Sequence, residues 1–119
     1  MDQNTFVDLL RAHVLDGLSN DLACSWQHPP GRMRSEESSR RSEWLSQMSA
    51  SDRELLQTFG YEAARSALFG VLAVLDGVRK IEEPHLGHLE LRYVREDHSE
   101  LLASTAADMP VLPLHELLP

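Results

Sequence analysis

Apolar residues recur at helical spacing from the start of the chain. Phe6, Leu9, Leu10, His13, Val14, Leu18 and Leu22 fall three or four apart, which predicts an amphipathic helix over about 5–25. Thr5 and Asp8 make a weaker version of a capping box at its start. His13 falls on the apolar face, so a satisfied, partly buried histidine is expected there. The run Trp26-Gln27-His28-Pro29-Pro30-Gly31 breaks the pattern with two prolines and a glycine. A polar helix over about 36–48 follows. It carries Glu36/Arg40 and Glu37/Arg41 pairs at i,i+4, with Trp44, Leu45 and Met48 as its large apolar anchors.

The strongest periodicity runs over 51–81, opened by a Ser51/Glu54 capping box. Leu56, Ala64, Leu68, Leu72, Leu75 and Val78 form one stripe, and Ala63, Ala67, Gly70, Val74 and Gly77 a smaller one. Between Ala63 and Val78 the helix is apolar nearly all round, which predicts burial on most sides. Gly70 inside it predicts close approach of another helix or of the hairpin, so that Gly70→Leu would disrupt packing. Gly77 offers an earlier helix stop. After Pro84 the period changes. His88 to Val94 alternates, with Leu89, Leu91 and Tyr93 on one face; Arg95 to His98 reads as a polar turn, and Glu100 to Ala103 as a returning strand. Residues 104–111 read as a loop. Pro113 then suits the first turn of a short helix whose apolar face is Leu114, Leu117 and Leu118. The expected fold is α+β in one domain of 119 residues, helical over about 5–81, with the hairpin and terminal helix at about 86–118.

Charge narrows the function classes. The net charge is −8, distributed as −3 over residues 1–31, zero over 32–54, +1 over 55–81 and −6 over 82–119. An acidic chain repels phosphate backbones and anionic lipid surfaces, which argues against nucleic-acid and membrane partners. It suits a basic protein partner, and also simple solubility. The longest apolar run, Ala67 to Leu75, is about half of the ~18 residues a membrane span needs. With no signal-peptide pattern at Met1 to Asn4, a soluble cytoplasmic protein is expected. One cysteine, Cys24, allows no internal disulfide and reads as a small packed hydrophobe.

Candidate chemistry is sparse. His85 and His88, with Glu90 and His98 nearby, have ligand-type side chains, but Pro84 and Gly87 place the histidine pair in a loop with no HExxH or CxxC framework. Solvent-exposed histidines and no metal or cofactor are therefore expected. Asp76 interrupts the most apolar stretch, where a carboxylate needs a partner; Arg79 and Lys80 at i+3 and i+4 are the local candidates. Arg32, Arg34, Arg40 and Arg41 are largely neutralised by Glu36, Glu37 and Glu43. Leu114-His115-Glu116-Leu117-Leu118 matches a helix-in-groove spacing, although docking within the chain yields the same pattern. No phosphate loop, nucleophile elbow or paired catalytic carboxylates are present, which weighs against an enzyme.

The runs Ala67 to Arg79, Leu89 to Val94 and Leu114 to Leu118 resemble small bacterial proteins of immunity-protein type. The resemblance spans the C-terminal half and rests on packing residues; it implies an inhibitor that binds a cognate toxin. Together with the charge it gives the functional expectation: a non-enzymatic acidic binding protein, antitoxin-like, that offers Glu82, Glu83, Glu90, Glu96, Asp97 and Glu100 to a basic partner. Two alternatives stay open. One is a small-ligand or metal-dependent enzyme using Asp76 with His85, His88 or His98. The other is a structural homodimer built on the small-residue helix stripe.

Overall fold

A computed structural model describes residues 1–17, 35–83, 86–108 and 111–119. The Trp26 to Gly31 connector, Cys24, Arg32, Arg34 and His85 lie outside the described residues. The architecture is α+β: helix α1 (Gln3–Leu10), a π-helical segment (Arg11–Asp16), helices α2 (Glu36–Ser46) and α3 (Ala50–Leu75), an antiparallel hairpin β1 (Glu90–Arg95) and β2 (His98–Ser104), and a short helix α4 (Leu114–Leu117). Two compact units result. The first holds Met1–Arg11 and Arg65–Pro119, the second Ala12–Ala64.

The helix starts are set by side-chain caps, in two cases upstream of the expected residue. Asp2, not Thr5, caps α1: its carboxylate accepts the Thr5 N–H at 2.8 Å. That bond holds the Asp2 carboxyl below its usual range. Ser35 caps α2 through the Ser38 N–H at 3.0 Å. Ser49 starts α3, accepting the Asp52 N–H at 3.1 Å, two residues before the expected Ser51. A hydroxyl or carboxylate at each site satisfies an N–H that the first helical turn leaves unbonded.

After Leu10 the first helix widens into its π-helical segment, which shifts the inward face away from strict helical spacing. Val7 and Leu15 are the buried residues, whereas Leu9, Val14 and His13 are exposed. His13 is therefore not the partly buried histidine expected. In α2, Leu45 is buried and Trp44 is not. The Arg53 guanidinium donates to the Leu45 carbonyl at 3.1 and 2.8 Å and so closes the C-terminus of α2.

Helix α3 stops at Leu75, six residues before the expected end. Gly77 adopts a left-handed φ of +78°. Its N–H bonds the Val74 carbonyl at 3.0 Å, and the Val78 N–H bonds that of Ala73 at 3.0 Å. This is the Schellman pattern, in which a left-handed glycine lets two orphan carbonyls turn inward. Burial along α3 is also narrower than its composition suggests. Gly70, Leu72 and Ala73 are buried, while Val71, Leu55 and Phe59 are more than half exposed.

The two helix glycines predict opposite mutational signs. A Cβ on Gly70 would meet only the end of the Arg79 side chain, with its Nη1 at 2.6 Å. Neither another helix nor the hairpin approaches there, and a guanidinium can swing aside. Gly70→Ala should thus raise stability by up to about 1 kcal/mol, the helix-propensity gain. At Gly77 a Cβ would press on the Thr105 backbone at 3.1 Å in a left-handed conformation. Gly77→Ala should lower stability by about 1–2 kcal/mol. Urea denaturation of the two variants checks both signs.

The hairpin turns on Glu96 and Asp97, with Glu96 at φ +50°. Its register is Arg95↔His98, Val94↔Ser99, Tyr93↔Glu100 and Arg92↔Leu101, then Leu91↔Ala103 and Glu90↔Ser104. Leu102 is thus an extra residue on β2. This bulge turns two successive residues, Leu102 and Ala103, into the core. In the first unit they share that core with Val7, Leu72, Ala73, Leu114 and Leu118. The Gln3 side-chain amide donates to the carbonyls of Leu102 at 2.7 Å and Leu112 at 2.6 Å, tying α1 to β2 and to the approach to α4.

Candidate protein-binding surface

The first unit carries eleven acidic residues against six basic ones. Their pairing separates acids engaged within the fold from exposed acids that pair with nothing among the described residues. Asp76 belongs to the fold. Its side chain is 4% exposed, and Oδ2 accepts the His115 backbone N–H at 2.9 Å and the His115 Nδ1–H at 2.8 Å. The partner is therefore neither Arg79 nor Lys80 but a residue on α4. His115 also sets its ring edge-on to Phe69, with centroids 5.3 Å apart at 86°. A His beside the buried Leu114 was the one available sequence signal. Leu114 and Leu118 are buried within this unit, so the Leu-rich motif docks α4 inside the chain.

Glu90 and Glu100 are also engaged. Glu90 sits between Arg92 Nε at 2.8 Å and His88 Nε2 at 3.2 Å, a row on the outer face of β1. The Arg92 hydrogen bond holds the Glu90 carboxyl below the usual glutamate range; His88 adds to this and partial desolvation opposes it. Glu90 is ionised at neutral pH, and what this pairing contributes to stability is lost as pH falls through the lowered value. Glu100 lies 3.4 Å from the Met1 ammonium.

Four expected contact residues remain. Glu82 and Glu83 lie between α3 and the hairpin, and Glu96 and Asp97 form its tip. All four are exposed, and their side chains make no hydrogen bond or ion pair among the described residues. Large apolar side chains accompany them in sequence: Ile81 is 70% exposed, Leu86 69% and Val94 65%. A cleft of about 300 Å³ lies beside the same segment, with Ile81, Leu89, Lys80 and His88 among its lining.

Of the residues of the enzyme alternative, the described Asp76, His88 and His98 each have a separate place. Asp76 bonds His115, His88 bonds Glu90, and His98 begins β2. Among the described residues no three His, Cys, Asp or Glu side chains could hold a metal ion, and no helix is long and apolar enough to cross a membrane. In comparisons with known proteins, the chain matches no family model, no curated protein and no solved structure.

Proposed function

We propose that the protein is a non-enzymatic acidic binding module for a basic protein partner, an inhibitor of the immunity or antitoxin type that its C-terminal half resembles. The observation that carries this reading is the set of exposed carboxylates Glu82, Glu83, Glu96 and Asp97, which make no ion pair or hydrogen bond among the described residues, interleaved with exposed Ile81, Leu86 and Val94. Apolar contact area with charged surroundings is the usual make-up of a protein interface. Unpaired acids speed encounter with a basic surface and discourage acidic competitors. Glu90 and Glu100, already bonded within the chain, contribute background field rather than direct contacts.

The test compares wild type with a variant carrying Glu82→Lys, Glu83→Lys, Glu96→Lys and Asp97→Lys. Each is immobilised and exposed to native cell lysate at low and at high salt. Wild type should capture a basic protein in stoichiometric amount. The variant should capture at least about tenfold less of it, and added salt should mimic the substitutions. Equal capture of the same protein by both forms at low salt would remove these acids from the interface.

A further inference from the structure

We propose that the outer edge of β1, at Arg92 and Val94, receives an extended basic segment of the partner as a third strand. The proposal rests on the binding function above and gives it a mode of recognition. The hairpin register supplies the first argument. Arg95↔His98 flanks a two-residue turn and so exchanges both backbone hydrogen bonds; alternation makes Tyr93↔Glu100 the next such pair. Val94↔Ser99 and Arg92↔Leu101 are then the intervening pairs, in which backbone groups point away from the opposite strand. The N–H and C=O of Arg92 and Val94 therefore line the outer edge. No hydrogen bond from outside the hairpin reaches those four groups among the described residues.

The other edge of the hairpin is engaged by the N-terminal segment at the bulge. The Leu102 carbonyl receives the Gln3 amide from α1, and Glu100 faces the Met1 ammonium. A sheet of two strands is smaller than the three that usually stand independently. The β1 edge, which no such contact engages among the described residues, is a side on which it can grow, by the strand addition that many peptide-binding domains use.

Charge selects the occupant. A strand laid along β1 would run between the exposed acids at the tip, Glu96 and Asp97, and those preceding the root, Glu82 and Glu83. It would pass Val94 on the outward face. Lysine or arginine near its ends and apolar or β-branched residues between fit this sequence of contacts.

The test is amide hydrogen exchange by NMR on the full chain, with and without the end-blocked peptide Lys-Thr-Val-Thr-Val-Thr-Lys. A peptide with Glu in place of both Lys is the comparison. The basic peptide should slow exchange of the Arg92 and Val94 amides by at least about tenfold, and the acidic one should not. Val94→Pro deletes an outward N–H while leaving the bonds to β2 intact, so it should abolish the protection at Arg92 with the circular dichroism unchanged. If that variant does not fold, the wild-type protection pattern decides alone. Binding of the basic peptide without protection at Arg92 and Val94 overturns the edge proposal and leaves the acidic-surface reading standing. Equal protection by both peptides keeps the edge and overturns the basic partner. No protection by either peptide overturns the edge proposal.

Discussion

Asp76→Ala should destabilise the protein by about 3 kcal/mol, because hydrogen bonds to a charged acceptor contribute about 1.5–3 kcal/mol each and are not fully additive. Both bonds end on one buried oxygen, and both donors belong to His115, 39 residues further along the chain. Alanine removes the acceptor and strands a part-buried N–H and a ring nitrogen, which is costlier than losing a solvated pair. Asp76→Asn keeps a carbonyl oxygen of the right size without the charge, so about half of the loss is expected. Chemical denaturation followed by circular dichroism reads both values. An Asp76→Ala midpoint equal to wild type would show that the contact is incidental. Partner capture should survive in the folded fraction, since Asp76 has no exposed oxygen to offer.

Leu114→Ala should be of similar size, about 2–4 kcal/mol, from lost burial plus the cavity that remains. Leu114 is 0% exposed and sits directly before His115. Leu117→Ala, one turn on and half-buried, should lose only about 1 kcal/mol. That contrast separates inward packing of α4 from presentation of its leucines to another protein. Equal effects at both positions would contradict the burial pattern. Combined with Asp76→Ala, Leu114→Ala should add less than its own effect, because either change frees the same helix. Once α4 is loose, the Arg65 bonds to the Leu118 and Pro119 carbonyls, at 3.3 and 2.6 Å, go with it.

Local rules made much of this fold legible. Helical spacing located α2 and the start of α3 to within a few residues but overran the end of α3 by six, and alternation located the hairpin and its turn. Ser35 and Gly77 are sequence punctuation that acts through its own neighbours. Distant choices were hidden. Arg79 and Lys80 satisfy the i+3 and i+4 rule for Asp76, yet His115 takes the bond and Arg79 lies over Gly70 instead. Helix neighbours are visible in a sequence; a residue brought back from α4 is not. Val71 misled for a related reason. An all-apolar helix segment predicts burial only if enough structure surrounds it, and here one side of α3 stays open. Among the acids, sequence position identified the charged region but not its division. That division depended on where Arg92, His88 and Met1 came to rest.

The bulge at Leu102 bears on how this hairpin can change length over generations. With no residue opposite it on β1, Leu102 divides β2 into two stretches of opposite parity. Deleting Glu100, before the bulge, would carry Leu101 and Leu102 each to the opposite face and turn the buried Leu102 outward. Deleting Leu102 itself would leave Arg92 to Arg95 paired as they are, with one buried leucine lost. The root of the hairpin is therefore where lineages can gain or lose a residue without altering the edge at Arg92 and Val94. The tip has no such freedom.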